Sequence, residues 1–329
     1  MTARLSNEET KENRGLIVVL GGFGFLGSHL CRALTGDGHA VRVFDKLYAS
    51  RRRINDLKDR LEIVEGDIAR SSDVLAALQG ADTVIHLVHT TVPGSSMADP
   101  GYDIESNVAA SARWLSQLDQ TNVRRIIFVS SGGTVYGVPQ SNPIDESHPT
   151  NPISSYGITK LALEKYVAMY AALAEIEYCI LRPSNVYGED QQLHNGQGII
   201  GVLVDRASRR QPLEVWGTGQ SLRDYLYVGD FVSAVRRVLC YGGSQRVFNV
   251  SSGEGHSVLD LLQLLERRLD RRPEVRYIPS RNFDVPVNVL DSSLLRKEVG
   301  WEPRINLDEG IARVIEWLQS DKMGLTAEQ

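Results

Sequence analysis

Five apolar residues, Leu16-Ile17-Val18-Val19-Leu20, run without a break into Gly21-Gly22-Phe23-Gly24-Phe25-Leu26-Gly27, and a helical pattern follows over residues 28–34. No other segment constrains the fold as much. An apolar, β-branched run that stops at glycine reads as a strand covered on both faces. Glycines at the seam let the backbone turn tightly and leave no side chain between it and a bound group. The helix that follows offers unpaired N–H groups and a partial positive charge to an anion. The spacing is Gly21-x-x-Gly24-x-x-Gly27, with Gly22 completing a G-x-G-x-x-G. Placed between strand and helix, this arrangement receives the pyrophosphate of a dinucleotide.

The same rhythm continues. Apolar strands at residues 41–44, 61–64, 83–87, 125–130 and 178–181 alternate with helical patterns at 73–78, 102–118 and 156–174. Strands alternating with helices imply an α/β fold with a doubly wound parallel sheet. Beyond Arg182 the pattern loosens: Pro183, Gly188, Gly196, Gly198, Pro212, Gly217 and Gly219 punctuate loops around a helix at 199–208, and helices at 257–269 and 307–318 follow. Residues 15–181 are therefore expected to form the dinucleotide-binding domain, with 230–252 returning to it. Residues 182–329 are expected to form mainly a smaller, loop-rich substrate lobe. Residues 1–14 are polar and read as a disordered lead-in without a signal-peptide core.

Composition excludes several classes. The chain is 42% hydrophobic and 23% charged with net charge −5, an ordinary globular balance with no electrostatic footprint for nucleic acid. No apolar run approaches the ~20 residues that a membrane helix needs. Cys31, Cys179 and Cys240 form no C-x-x-C and no even framework, which implies buried thiols and a reduced, cytoplasmic compartment. His86 and His89 have H-x-x-H spacing at a strand end rather than on a helix, so no metal is expected.

Individual residues then suggest chemistry. The second strand ends at Asp45, placed to accept both ribose hydroxyls of NAD and to repel the extra phosphate of NADP. Arg51, Arg52 and Arg53 lie several residues further along the loop. Asp67 and Ile68 follow the third strand, where an adenine edge would lie. Tyr156-x-x-x-Lys160 places both side chains on one helix face. An ammonium beside a phenol favours phenolate and would make Tyr156 a usable base near neutral pH. The turn Ser131-Gly132-Gly133-Thr134 offers hydroxyls for the same site. Arg223 and Arg281 are suited to clamping a diphosphate, although either alone reads better as a surface ion pair.

Taken together, the chain from Gly15 to about Leu318 resembles the extended short-chain dehydrogenase/reductase family of NAD-dependent sugar epimerases and dehydratases, most of all the UDP-glucose 4-epimerase-like enzymes. The markers are residues 21–27, 130–137 (SSGGTVYG), 156–160, 181–188 (LRPSNVYG), 222–230 (LRDYLYVGD) and 310–318. The resemblance implies a Rossmann-type fold, tightly held NAD, a nucleotide-diphosphate sugar as substrate, and a homodimer built on helices 102–118 and 156–174. Tyr156 would be the acid/base, and Lys160 would bind the nicotinamide ribose. Asn107 would order the active-site helix, and Asn185, Arg223 and Arg281 would contact the diphosphate. Asn288 would face the sugar's 2-substituent, where a smaller residue than the tyrosine of hexose-restricted relatives admits an N-acetyl group.

There is one departure. The family's catalytic serine or threonine aligns with Gly132, so either Ser131 or Thr134 substitutes, with Thr134 favoured, or the hydroxyl assistance is reduced. Gly133 and Thr134 stand where 4,6-dehydratases carry an Asp-Glu pair, which disfavours dehydration. A nucleotide-sugar 4-epimerase is thus the leading expectation. A 4-ketoreductase using the same residues and a non-catalytic NAD sensor are the alternatives.

Overall fold

The computed structural model describes residues 15–191, 198–279 and 285–326. Its first elements are β1 (Leu16–Leu20), α1 (Phe25–Gly36), β2 (Val41–Asp45), β3 (Glu62–Glu65), α2 (Ser71–Ala77) and β4 (Ala81–His86). Next come α3 (Pro93–Ala98), α4 (Pro100–Asp103), α5 (Ala110–Leu115), β5 (Arg125–Val129), α6 (Ser155–Leu173), β6 (Glu177–Pro183) and β7 (Asn185–Tyr187). The rest are α7 (Ile199–Ser208), β8 (Leu213–Trp216), β9 (Leu222–Tyr227), α8 (Val228–Leu239), β10 (Val247–Val250), β11 (Gly255–His256), α9 (Val258–Leu269), β12 (Val275–Ile278), β13 (Val287–Asn288), α10 (Ser293–Val299) and α11 (Leu307–Thr326).

These elements fall into two compact units, whose divisions include one within β5, one within α6 and one between residues 178 and 179. The first unit holds described residues 15–88, 109–128 and 166–178. Its strands lie in the order β3-β2-β1-β4-β5, and every pairing is parallel. The interior of the sheet explains the apolar runs: Val18, Val19, Leu20, Val84 and Ile85 are fully buried. Connections leave β1 first towards β2 and β3, then return to β4 on its other side. The turn at Gly21 therefore sits at the carboxyl end of the strand where the winding reverses, the place such sheets use for ligands.

The second unit holds residues 89–108, 129–165 and the described part of 179–329. In it β6 pairs in parallel with β10, with Phe248 opposite Leu181 and Asn249 opposite Arg182. A second sheet is centred on β9, which pairs with β7 and β13 in parallel and with β11 antiparallel. A third joins β8 and β12. Helix α9 opens on a capping box: the Ser257 hydroxyl accepts from the Asp260 N–H, and the Asp260 carboxylate accepts from the Ser257 N–H.

Two sequence expectations change. The helix expected over 102–118 is broken: between α4 and α5, Ile104–Ala109 form a π-helical turn. The Asn107 side chain donates to the Asp103 carbonyl at 3.0 Å, a group that a regular α-helix would give to the backbone N–H of residue 107. Cys31 and Cys179 are buried as expected, but Cys240 is exposed. Among the described residues no helix is long and apolar enough to cross a membrane, and no cluster could hold a metal ion. His86 instead packs between the rings of Trp114 and Phe128 and shares a 3.2 Å hydrogen bond with the Ser111 hydroxyl.

Candidate active site

In the first unit, Gly21 has φ +90°, a left-handed conformation that glycine adopts without strain. Its neighbours are glycine for lack of space. A Cβ on Gly22 would lie 2.6 Å from Val43 Cγ1, and one on Gly27 would lie 2.1 Å from the Gly21 carbonyl oxygen. Helix α1 starts from Gly24 with no side chain capping its first N–H groups. Phe25 and Leu26 stand in that first turn, half-buried. Open N–H groups behind a side-chain-free turn fit a pyrophosphate.

Asp45 is locked beside this turn. The Phe23 N–H donates to its Oδ2 and the Lys46 N–H to its Oδ1, both at 2.8 Å. Burial pushes its carboxyl above the ordinary value. Arg51 is paired with Glu65 and lies over the Phe23 ring, while Arg53 Nη1 donates to the Phe23 carbonyl at 3.3 Å. These contacts turn Arg51 and Arg53 towards protein partners. Asp67 is exposed, its carboxylate accepting from the Ala69 N–H, and Ile68 is buried.

In the second unit, Tyr156 and Lys160 occupy the opening turns of α6. The Tyr156 N–H donates to the Ser96 hydroxyl at 3.1 Å, so α3 supplies the cap. Lys160 is 3% exposed. Its Nζ donates to the Val129 carbonyl at 2.9 Å and lies 5.8 Å from the centre of the Tyr156 ring. Burial pushes Lys160 down to about 7, against the opposing charges of Glu164 and Asp103. Burial also pushes the Tyr156 phenol up, and the Asp103 charge adds to it. This corrects the expectation of a phenol lowered by its lysine. The ammonium is itself desolvated, and the carboxylate beside the pair opposes phenolate.

That carboxylate, Asp103, is fully buried and was missed in the sequence. It accepts from Thr91 Oγ1, from Ser155 Oγ at 2.7 Å, from Thr159 Oγ1 at 3.2 Å and from Asn107 Nδ2 at 3.0 Å. Burial alone would raise its carboxyl, but these donors and His89 outweigh burial and hold it well below the carboxylate range. Asn107 is buried in the π turn, where its Oδ1 accepts from the Thr90 N–H at 2.8 Å. His89 completes the cluster: Nε2 lies 3.5 Å from Asp103 Oδ1, and the ring meets the Tyr156 ring edge-on at 4.5 Å. Spacing could not reveal these pairings, because the partners lie as far as 56 residues apart.

The Gly132 departure has a steric cause. A Cβ there would lie 2.3 Å from Leu290 Cδ1 and 2.9 Å from the Arg182 carbonyl oxygen. Of the two replacement hydroxyls, that of Thr134 is turned onto the Ser131 carbonyl at 3.5 Å. The Thr134 backbone abuts α6, since a Cβ on Gly157 would meet the Thr134 carbonyl at 2.8 Å. Ser131 is half-buried in the same turn.

The residues expected to bind substrate gather on β9 and its neighbours. Asn185, opposite Tyr225, is exposed and donates from Nδ2 to the Asp224 carbonyl at 2.9 Å. Arg223 Nη1 donates to the Leu222 and Val285 carbonyls. Asn288, opposite Arg223, is 1% exposed. Its Nδ2 donates to the Gly132 carbonyl at 3.4 Å, and its Oδ1 has no protein partner. The side chain thus packs into the protein beneath the Ser131–Thr134 turn, a tighter setting than the resemblance implies. Arg281 lies outside the described residues.

Residues 17–251 match the NAD dependent epimerase/dehydratase family. The chain is 33% identical to a UDP-glucose 4-epimerase of Mycolicibacterium smegmatis over 92% of its own length and 98% of the relative's. It is 30% identical to an Escherichia coli dTDP-4-dehydro-6-deoxyglucose reductase, over 91% and 96%. The crystal structure of the Thermus thermophilus UDP-glucose 4-epimerase in complex with NAD superposes with a TM-score of 0.85 at 29% identity, covering 92% of this chain and 99% of that one. The glycine turn at the winding reversal, Asp45 beside it and the Tyr156–Lys160 face of α6 are thus features of a protein that belongs to the NAD dependent epimerase/dehydratase family.

Proposed function

We propose that the chain is an NAD-dependent nucleotide-sugar 4-epimerase acting on UDP-hexoses or UDP-N-acetylhexosamines. The observation that carries this reading is the Tyr156–Lys160 pair, fixed at the start of α6 by Ser96 and by the Val129 carbonyl. The chemistry NAD supplies when bound is reversible acceptance of hydride from a sugar carbon. Gly21, Gly24 and Gly27 with the first turn of α1 would hold its pyrophosphate. Asp45 would hold its ribose hydroxyls, and Asp67 and Ile68 its adenine. Tyr156 would take the proton of the sugar 4-hydroxyl and later return it, with Thr134 assisting. Lys160 would stabilise the phenolate and hold the second ribose. Asn185 and Arg223, with Arg281, would bind the diphosphate.

The test is turnover of UDP-glucose and UDP-N-acetylglucosamine, with products identified by NMR. Tyr156→Phe should cut turnover by orders of magnitude while nucleotide binding persists, because it removes the group that moves the proton. Turnover like that of the wild type in this variant refutes the assignment. A second reading, 4-ketoreduction, is favoured by the 30% identity to the dTDP-4-dehydro-6-deoxyglucose reductase. The two readings separate on the cofactor: an epimerase purifies with NAD bound and consumes none, whereas a reductase consumes added NADH.

The same reading carries a homodimer. Ile158, Tyr166, Met169 and Leu173 leave an apolar stripe on α6 exposed, with Leu173 at 73% and Ile158 at 55%. Light scattering at micromolar concentration tests it, and a monomer there refutes it.

A further inference from the structure

His89 and Asp103 have no role in the chemistry above, yet they lie against its central residue. Both are buried: the His89 side chain is 6% exposed and that of Asp103 not at all. Asp103 ties together three segments of the second unit. It takes Thr91 from the loop after β4, Asn107 from the π turn, and Ser155 and Thr159 from α6, on either side of Tyr156. An ionised carboxylate only accepts hydrogen bonds, so the imidazole nitrogen facing it must carry a proton. Nε2 is that nitrogen, 3.5 Å from Asp103 Oδ1. Neither ring nitrogen meets a protein partner in full hydrogen-bond geometry, and Nε2 is the one that approaches the carboxylate.

We propose that Asp103 and His89 form a positioning pair for Tyr156, in which Asp103 fixes the proton of the neutral imidazole on Nε2 and the uncharged ring, packed edge-to-face against the phenol ring, holds it in place. This inference rests on the reading of Tyr156 as the acid/base. The groups that face the pair are Asp103 from α4, Lys160 and Tyr156 from α6, and Glu164 behind Lys160. Their balance keeps the ring uncharged: burial and the Lys160 charge push His89 down to about 4, against Asp103. An imidazolium at this place would stabilise phenolate independently of Lys160. A neutral ring leaves that control to the lysine and supplies only packing.

The test combines a spectroscopic and a kinetic arm on the full-length protein. Long-range proton–nitrogen NMR of the imidazoles, with His89 assigned from the His89→Phe spectrum, should give a neutral Nε2–H tautomer from about pH 5.5 to 8.5, a range that spans the ordinary histidine value of about 6.5. Asp103→Asn should release that tautomer preference. An imidazolium, or a proton on Nδ1 in the wild type, overturns the proposal. In the kinetic arm, His89→Phe keeps a ring edge against the phenol and should hold kcat within about threefold. His89→Ala should lower kcat by roughly tenfold or more with KM nearly unchanged, as small misplacements of reacting groups do. Equal loss in the two variants, or none in His89→Ala, overturns it. The tautomer needs no substrate, so it decides the proposal even if no nucleotide sugar is turned over, a result that would sink the epimerase reading instead.

Discussion

Gly132→Ser would restore at this position the hydroxyl that the family resemblance places there, and the structure says what it costs. The new Cβ would stand 2.3 Å from Leu290 Cδ1, 2.9 Å from the Arg182 carbonyl and 3.3 Å from the Pro183 carbonyl. Leu290 is fully buried against Val135, Tyr136 and Ile144, so it cannot swing away freely. Overpacking of this kind costs about 1–3 kcal/mol. Gly132 does not adopt a positive φ, so the substitution also gains roughly 0.4–1 kcal/mol by restricting the unfolded chain. Packing wins, and the net expectation is a loss of about 1–2 kcal/mol, or roughly 1.5–3 °C in Tm for a chain of this size. Leu290→Val shortens the obstructing branch and should cost about 1 kcal/mol alone. Combined with Gly132→Ser it should recover part of the loss, leaving the Arg182 carbonyl contact uncorrected. Denaturant unfolding of the four proteins completes the cycle. Strictly additive losses, or a Gly132→Ser variant within about 0.5 kcal/mol of the wild type, would refute the steric account of the glycine.

Three further expectations follow from the same geometry. Asp45→Ala should reduce the preference for NAD over NADP, and it should also loosen the turn at Phe23. Calorimetry checks both, and tighter NADP binding by the wild type would contradict the role of Asp45. Asn288→Tyr should impair hexose and N-acetylhexosamine substrates alike, because a phenol does not fit a site 1% exposed. A loss confined to the N-acetylated substrate would show instead that the side chain faces the sugar. Lys160→Met should stabilise the fold, most strongly below about pH 7. The ordinary lysine value is about 10.4, so between the two the unfolded chain binds the extra proton and wild-type stability rises with pH. The gain from Lys160→Met should therefore shrink towards pH 10, and an equal gain at pH 6 and pH 9.5 would argue against a desolvated lysine.

Much of the fold was legible because its signals are local. The run at residues 16–20, the glycine seam and the carboxylate ending β2 each lie within one turn or strand, and α6 falls within a residue of its expected bounds. The candidate site was legible as far as motifs reach: Tyr156 and Lys160 are singled out by their spacing together with the strand and hydroxyl-rich turn that precede their helix. Asp103 and His89 do not, since their meaning comes only from partners brought in by tertiary packing. The π turn is invisible to periodicity because it breaks the period being read. The strands β7, β11 and β13, two or three residues each, are too short to show alternation. For Asn288, counting along the chain gives a position in a pattern but not the depth at which the side chain sits.

Strand β9 has a consequence for how this protein could acquire new substrates. Asn185 and Asn288 stand opposite its Tyr225 and Arg223. Its Asp224 carboxylate is fully buried and gathers the Ser184 and Ser252 hydroxyls together with the Ser252, Gly253 and Leu290 N–H groups. Backbone held at so many points does not drift, and a one-residue slip of β9 would turn every side chain on it to the opposite face. On the proposal that Asn185 and Arg223 contact the substrate, altered preference would arise by exchanging side chains at fixed points rather than by reshaping the frame. Divergence here proceeds as changes of lettering on a rigid keyboard, and Asp224 is the pin that keeps the keys in line.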